Sequence, residues 1–553
     1  ILQTAENSQK MIMDTIRAVI FILHLSLLGL CTSSKVPSEC FRAAVLDHVQ
    51  QTDPNNPLDY SRNVELNLKV YEKAASVAKR KGADIIVFPE NGLIYHIHSR
   101  DKADLFASDI PEQFSDACTR DPKFIVNRLA CIARKYQIYL AANLIDRKTC
   151  HEMKLEDSSP ECPIDKKFLF NTAVLFNRNG TILGRYHKMH LFGEMALNPP
   201  PQPELVVVKT DLGRLGLQIC FDMIFDKPGH FLAQKNLVDT VVFPTWWFDE
   251  APFLASSQYQ MAWAFGNNVT LLSSNIHKIE MGSRGSGIYV GTRRQFVAAT
   301  HSDTLERLVL ANVPKQRFST VDCPMNQEMI VIPQEVPRKY GSKYRYQNLK
   351  STDTKMLELS NLKGFSSYRI CHKGVCCQVE YHISQRSNSS EDSCDIKDQI
   401  PSLNNLINKY SNQERYFLIA ANRTRPGIFH WAEEFCALSH CSSGTKESCS
   451  TYLSENDLKT KFSYIKLWGT FSNSATVYPS VIGSKQQLIH PSKRWDSWED
   501  IDYSSTNKKV MIELGSLGSE QIAQQYQVGS VSLYGRVYER DPKYERKAVS
   551  IDL

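Results

Sequence analysis

The sequence predicts an α/β domain with strands buried between helices, followed by a smaller, mostly β domain. Three observations carry that prediction. Over about residues 40–300, apolar runs of strand length alternate with stretches whose apolar residues recur at helical spacing. Beyond about residue 340 the runs turn short and polar-flanked, without convincing helices between most of them. Fifteen cysteines, several closely spaced, point to small disulfide-closed loops in an oxidising compartment. A chain of 553 residues would by length alone suggest three or four domains of roughly 150 residues, but single α/β domains often run larger. Hydrophobic residues at 42% and charged residues at 22% exclude a disordered chain or a fibre. The net charge of +6 is spread without a long basic run, which argues against nucleic-acid binding.

The elements follow in order. Phe41–Leu46 reads as the first strand. Val64, Leu68, Tyr71, Ala75 and Ala78 then repeat on one helical face, and Gly82 stops that helix. Asp84–Phe88 is a buried strand bounded by Pro89. Further strands are expected at Ile138–Ala142, Thr172–Phe176, Thr181–Tyr186, Leu215–Ile219, Thr240–Phe243 and Thr270–Ser273, with a helix over Pro252–Phe265 before the last. In the second half, strand-like segments lie at Tyr368–Tyr381, Tyr416–Ala421, Tyr464–Phe471 and Lys509–Leu514. Over Ser530–Tyr538, Val531, Leu533 and Val537 alternate with Ser532, Tyr534, Arg536 and Tyr538, the period of a half-buried strand. The expected organisation is a leader and signal peptide (1–34), a catalytic domain (35–335), a linker (336–365) and a β-rich domain (366–553). No internal repeat is visible.

The N-terminus agrees with secretion. Ala18–Leu30 is a short apolar core after Arg17 and before small residues, the layout of a cleaved signal peptide. The polar end, ERKAVSIDL, lacks the hydrophobic tail of a GPI signal, so no stable membrane anchor is expected. Asn179, Asn388 and Asn422 are glycosylation candidates; Asn268, just before the apolar run Val269–Leu272, is expected to be inaccessible. Cys371, Cys376, Cys377, Cys436, Cys441 and Cys449 are disulfide candidates by spacing, with Cys371 bonded to Cys376 or Cys377. The CxxC pairs and companion histidines of a zinc site are missing.

Three side chains fall at strand ends, where α/β folds build active sites. Glu90 follows the DIIVFP strand, Lys188 lies just beyond the strand of GRYHK, and Cys220 ends LGLQIC. Alone, Glu90 reads as a helix cap, Lys188 as a surface lysine and Cys220 as a packed small hydrophobe. Together they supply what amide cleavage needs. A thiol attacks as thiolate, a carboxylate carries its proton to the leaving amine, and a cation holds the thiolate and the oxyanion beside the backbone N–H of Phe221.

In their flanks the three residues resemble the nitrilase (carbon–nitrogen hydrolase) superfamily, and more closely its vanin/pantetheinase branch, to which biotinidase is related. The resemblance rests on FPENG at Glu90, RYHKMHLFGE at Lys188, CFDMIF from Cys220, FPTWW, SNIH and GSGIY. In the second half, VYPSVIGSKQQL and VSLYGRVYERD resemble the ends of the vanin C-terminal domain. Many amidase branches carry an arginine soon after the Cys-x-Asp, whereas here Met223, Ile224 and Phe225 follow, as in the vanin branch. The resemblance implies a nitrilase-type αββα sandwich and disulfides Cys118–Cys131 and Cys150–Cys162. It also implies a supporting second glutamate, Glu194, that orients Lys188 or substrate.

The expected activity is hydrolysis of a linear amide, with pantetheine cut to pantothenate and cysteamine. Biotin amides are the nearest alternative, and a non-enzymatic binding protein or a thioester-using acyltransferase the more distant ones. The thiol chemistry asks for no metal or organic cofactor, and the expected partner is a small-molecule amide.

Overall fold

The computed structural model describes residues 36–542, apart from 95–98, 116, 157–158, 160, 337–352, 361–363, 386–413, 426–429, 444–447, 450–457, 484–486, 490–506 and 516–524. The expected signal peptide and Asn388 lie outside these residues.

The first unit has thirteen strands in chain order. They begin with β1 (Cys40–Asp47), β2 (Ile85–Val87), β3 (Tyr139–Thr149), β4 (Lys167–Phe176) and β5 (Ile182–His187). Next come β6 (Val207–Thr210), β7 (Gly213–Leu217), β8 (Thr240–Thr245), β9 (Thr270–Asn275) and β10 (Ser286–Val290). β11 (Gln295–Ala299), β12 (Glu306–Pro314) and β13 (Glu328–Ile332) complete it. They form two sheets, β13-β12-β1-β2-β3-β4-β5 and β11-β10-β9-β8-β7-β6.

Alternation along β1 explains the layering. Ala43 and Val45 join Leu217, Val241 and Leu271 in the core between the sheets. Ala44 and Leu46 join Leu68, Tyr71 and Leu129 beneath the helices Tyr60–Arg80 and Ile125–Tyr136. A strand apolar on both faces requires cover on both sides. The first helix opens on Asp59, whose carboxylate accepts from the Arg62 N–H at 2.9 Å. It ends at Gly82, whose φ of +77° is the left-handed stop that glycine adopts without strain.

The second unit is a β sandwich. Its strands are β14 (Lys355–Glu358), β15 (Gly364–His372), β16 (Val375–Gln385), β17 (Arg415–Thr424) and β18 (Ala432–Cys441). β19 (Lys461–Ser472), β20 (Thr476–Gly483), β21 (Asn507–Leu514) and β22 (Val528–Arg536) follow. A five-stranded sheet, β14-β17-β18-β22-β20, packs on a four-stranded one, β15-β16-β19-β21.

Three readings change. β14 lies within the stretch expected to be linker, yet pairs with β17 as part of the second unit. Tyr368–Tyr381 is two strands rather than one, because Lys373 and Gly374 both take positive φ and turn β15 into β16. The half-buried strand expected at Ser530–Tyr538 is instead buried on both faces. Val531 and Leu533 fill the sandwich core, while the polar side faces the first unit. There Ser530 Oγ donates to Pro252 O at 2.8 Å, and Gln258 Nε2 donates to Ser480 Oγ at 3.0 Å.

The helix between the units, Ser256–Gly266, is buried from Ser256 through Phe265, as expected of a helix covered on every side. One face lies on the second sheet and the other on β20 and β22, so the apolar cluster runs on through Tyr478, Phe435 and Tyr534. Among the described residues, no helix is long and apolar enough to cross a membrane.

Candidate active site

Glu90, Lys188 and Cys220 are only 2%, 1% and 5% exposed, so their charges interact with little screening. Each stands just past the end of a strand: Glu90 after β2, Lys188 after β5 and Cys220 after β7. Lys188 Nζ donates to Glu90 Oε1 at 2.7 Å and to Glu194 Oε1 at 2.5 Å. The first bond joins two of the residues singled out in the sequence. The second joins Lys188 to Glu194.

Three further groups fix the carboxylates. Asn171 Nδ2, on β4, donates to Glu90 Oε1 at 2.8 Å and to Glu194 Oε1 at 3.1 Å. The Trp246 N–H, just after β8, donates to Glu90 Oε2 at 2.9 Å. The Phe192 N–H bonds the second oxygen of Glu194.

Cys220 opens a short 3-10 turn, Cys220–Ile224, with a φ of +42°. A non-glycine residue takes that conformation only where its surroundings impose it. Asp222 is the group that ties the turn down. Its Oδ2 accepts from the Ile219 N–H at 3.2 Å and from the Tyr186 hydroxyl at 2.8 Å. Its Oδ1 accepts from the His190 N–H and ring Nδ1, both at 2.9 Å. The loop bearing Lys188 and the turn bearing Cys220 are thus bonded to one carboxylate. Phe221 follows in the same turn, also buried.

The electrostatics differ from a simple thiolate–ammonium pair. Burial pushes the Cys220 thiol far above the ordinary thiol range, and the Glu90 carboxylate adds to that push. Lys188, the Thr245 hydroxyl and the Trp246 N–H pull the other way without overcoming it. Burial also works against the Lys188 ammonium, but Glu194, Glu90 and Cys220 outweigh it and hold the lysine protonated. Two carboxylates around one ammonium leave local negative charge, which disfavours a second anion on sulfur. The resting sulfur is a neutral thiol.

Aromatic rings wall the site. Phe221 lies edge-on to Phe192 at 5.0 Å between centroids and to Trp431 of the second unit at 5.6 Å. Phe248 lies 5.6 Å from Trp246.

The carbon-nitrogen hydrolase family matches residues 42–272, and the vanin C-terminal domain matches residues 344–541. The chain belongs to the carbon–nitrogen hydrolases, in the branch that carries a vanin C-terminal domain. It is accordingly an amidohydrolase. Among curated relatives, a pantetheinase of Sus scrofa is 28% identical over 94% of this chain and 93% of its own. A pantetheinase of Canis lupus familiaris is 29% identical with the same coverage. A biotinidase of Takifugu rubripes is 28% identical over 82% of this chain and 88% of its own. Among solved structures, an amidase from Nesterenkonia sp. is 23% identical, covering 52% of this chain and 95% of its own with a TM-score of 0.37.

The cysteines of this carbon–nitrogen hydrolase divide cleanly. Cys118–Cys131, Cys150–Cys162, Cys371–Cys376, Cys377–Cys436, Cys441–Cys449 and Cys40–Cys323 are paired. Cys220 is the one free cysteine among the described residues; Cys394 lies outside them. The Cys40–Cys323 pair escaped sequence reasoning because its partners are 283 residues apart.

Of the sequons, Asn179 is exposed. Asn422 is half-buried, with Nδ2 donating to Lys373 O at 2.9 Å. Asn268 is exposed, contrary to expectation, because a φ of +50° turns it outward between the helix end and β9.

Sequence reasoning missed Asn143, Asn171 and Asp222 as site residues. The signal for Asn171 was present: one amide side chain inside the apolar run FLFNTAVLF.

Proposed function

We propose that this amidohydrolase cuts its substrate through a thioester on Cys220, and that the substrate is pantetheine, released as pantothenate and cysteamine. The observation that carries the reading is the Lys188 ammonium bridging Glu90 and Glu194 in the buried site that holds the free Cys220.

Glu90 takes the Cys220 proton as sulfur bonds to the amide carbon, so a full thiolate need not exist beforehand. Lys188 and the Phe221 N–H hold the oxyanion. Glu90 then returns the proton to the leaving amine, and the C–N bond breaks to leave the thioester. In the second half Glu90 takes a proton from water, which attacks the thioester and releases the acid and the Cys220 thiol.

The pantetheinase names of the relatives support the substrate. A relative named biotinidase at similar identity supports a second reading, hydrolysis of biotin amides. We take residues 35–335 as the catalytic domain and the protein as secreted, since six disulfides suit an oxidising compartment. The test is to incubate purified protein with pantetheine and with biocytin and to identify the released amines by mass spectrometry. Faster release of cysteamine than of lysine is expected; the reverse ranking moves the substrate to biotin amides.

A further inference from the structure

We propose that Asn171 is a positioning residue for Glu90, its amide locked in one orientation by a relay that starts at the Asn91 backbone. The proposal rests on the reading of Glu90 as proton carrier.

An asparagine amide is ambiguous by shape, because its oxygen and nitrogen are nearly interchangeable. Here a group that can only donate decides. The Asn91 N–H donates to Asn143 Oδ1 at 2.9 Å. Asn143 must therefore present Nδ2 on its other side, where it donates to Asn171 Oδ1 at 2.6 Å. Asn171 must then present Nδ2 to Glu90 Oε1 and Glu194 Oε1, at 2.8 and 3.1 Å. The chain of amides leaves from the residue after Glu90 and returns to the Glu90 side chain.

Lys188 Nζ donates to the same two oxygens. Two donors thus bridge two acceptors, and with Lys188 Nζ and Asn171 Nδ2 both on Glu90 Oε1, Oε2 is the oxygen left to exchange a proton. That oxygen is already held by the Trp246 N–H, which also faces the Cys220 sulfur. Asn171 thereby fixes the rotation of the Glu90 carboxylate that leaves Oε2 for the proton.

The charged groups around the amide are Glu90 after β2, Lys188 and Glu194 after β5, and Cys220 after β7. Nearby, His187 is bonded to Asp146 and Glu204 at 2.8 and 2.9 Å, and Asp222 to His190.

Two substitutions separate positioning from simple packing. Asn171→Leu removes the donor at similar volume. It should lower kcat about 10- to 100-fold, the worth of a hydrogen bond to a charged group, and leave KM nearly unchanged. Asn171→Asp keeps the shape. While protonated, its carboxyl accepts from Asn143 and donates to Glu90 as Asn171 does; once ionised it donates nothing and repels both glutamates. Its kcat relative to wild type should therefore fall steadily as pH rises from about 5 to 8, by about tenfold or more.

A ratio for Asn171→Asp that does not fall as pH rises overturns the proposal, as does a loss below about threefold for a folded Asn171→Leu. Should Asn171→Leu fail to fold, the Asn171→Asp profile alone decides. Glu90→Gln is run beside them. If it turns over like wild type, the reading of Glu90 fails and the proposal with it; if it is inactive, the Asn171 variants decide the positioning role alone.

Discussion

Arg536, in the last strand of the second unit, donates through Nε to the carbonyl of Ile224 at 2.7 Å. Ile224 closes the turn that Cys220 opens, so a strand of the second unit braces the turn that carries the proposed nucleophile. The contact is not isolated. The Tyr259 hydroxyl donates to Met223 O at 3.3 Å, and Tyr259 itself packs edge-on against Tyr534. Arg425 and Glu250 form a buried ion pair across the same boundary.

Arg536→Met should therefore weaken both stability and turnover. The guanidinium is fully buried and also bonds Ala432 O and Asp541. Removing it breaks the buried pair with Asp541, a loss of about 3–5 kcal/mol, although Ala432 O keeps the Val537 N–H at 3.1 Å and Asp541 keeps the Ala432 N–H at 2.8 Å. Denaturant unfolding should show a lower midpoint, and kcat at permissive temperature should drop more than KM changes. An unaltered midpoint would mean that the boundary carries little energy.

Cys220→Ser should abolish turnover while leaving folding nearly normal, since a hydroxyl is not usefully ionised by a lone carboxylate. Glu90→Gln removes the proton carrier, typically worth about 10²–10⁴-fold, and Lys188→Met removes the cation. Double mutants should be hardly worse than Cys220→Ser, because the three act as one unit. Steady-state kinetics on all combinations checks this; additive losses would break the shared mechanism.

Glu90→Gln should alkylate faster than wild type even as it hydrolyses more slowly. Glu90 is one of the groups pushing the thiol up, after burial. Removing its charge releases more thiolate at a given pH, with about a threefold or larger gain in the iodoacetamide rate after allowing for lower nucleophilicity. Lys188→Met should slow the same reaction. Peptide mass spectrometry, with label confined to Cys220, is the measurement; equal rates in all three proteins would leave the charge cluster without influence on the sulfur.

A pH-dependent contribution to stability should come from His277. Burial opposes its charge, but Asp47, 2.8 Å away, and the Asp303 carbonyl outweigh that and raise it above its ordinary value near 6.5. A histidine raised on folding contributes fully below its unfolded value and loses that contribution as pH rises through the folded one. The stability gap between wild type and His277→Gln should be widest near pH 6 and narrow towards alkaline pH. Thermal melts at a series of pH values test it, and a gap that widens with pH would reverse the sign.

The proposed trio of Glu90, Lys188 and Cys220 was legible because each residue closes an apolar run that reads as a strand, and the flanks match a family. The first helix was legible through its spacing and through Gly82. What supports the trio was harder to see. Asn143, Asn171 and Asp222 act on groups brought together by sheet pairing, so no local spacing relates them. β12 lies beside β1 in the sheet, 274 residues away at its Cys40–Pro314 end by numbering, and no period reports such pairing. The polar face of β22 misled because alternation reports two unlike faces without saying what covers them. Solvent was the default reading, and the first unit was the answer. The thiol's resting state was likewise hidden, since it depends first on burial and then on Glu90, against the pull of Lys188.

The buried helix Ser256–Gly266 also has a consequence for biosynthesis. Its outer face is covered by β20 and β22, the latter roughly 270 residues further along the chain, which at about 5–20 residues per second reaches the ribosome exit some 15–50 s later. Through that interval the nascent first unit lacks the rings of Tyr478 and Tyr534 that pack against Tyr259. A chain that stops before β22 therefore already holds every proposed catalytic residue while the partner surface of this helix is still missing.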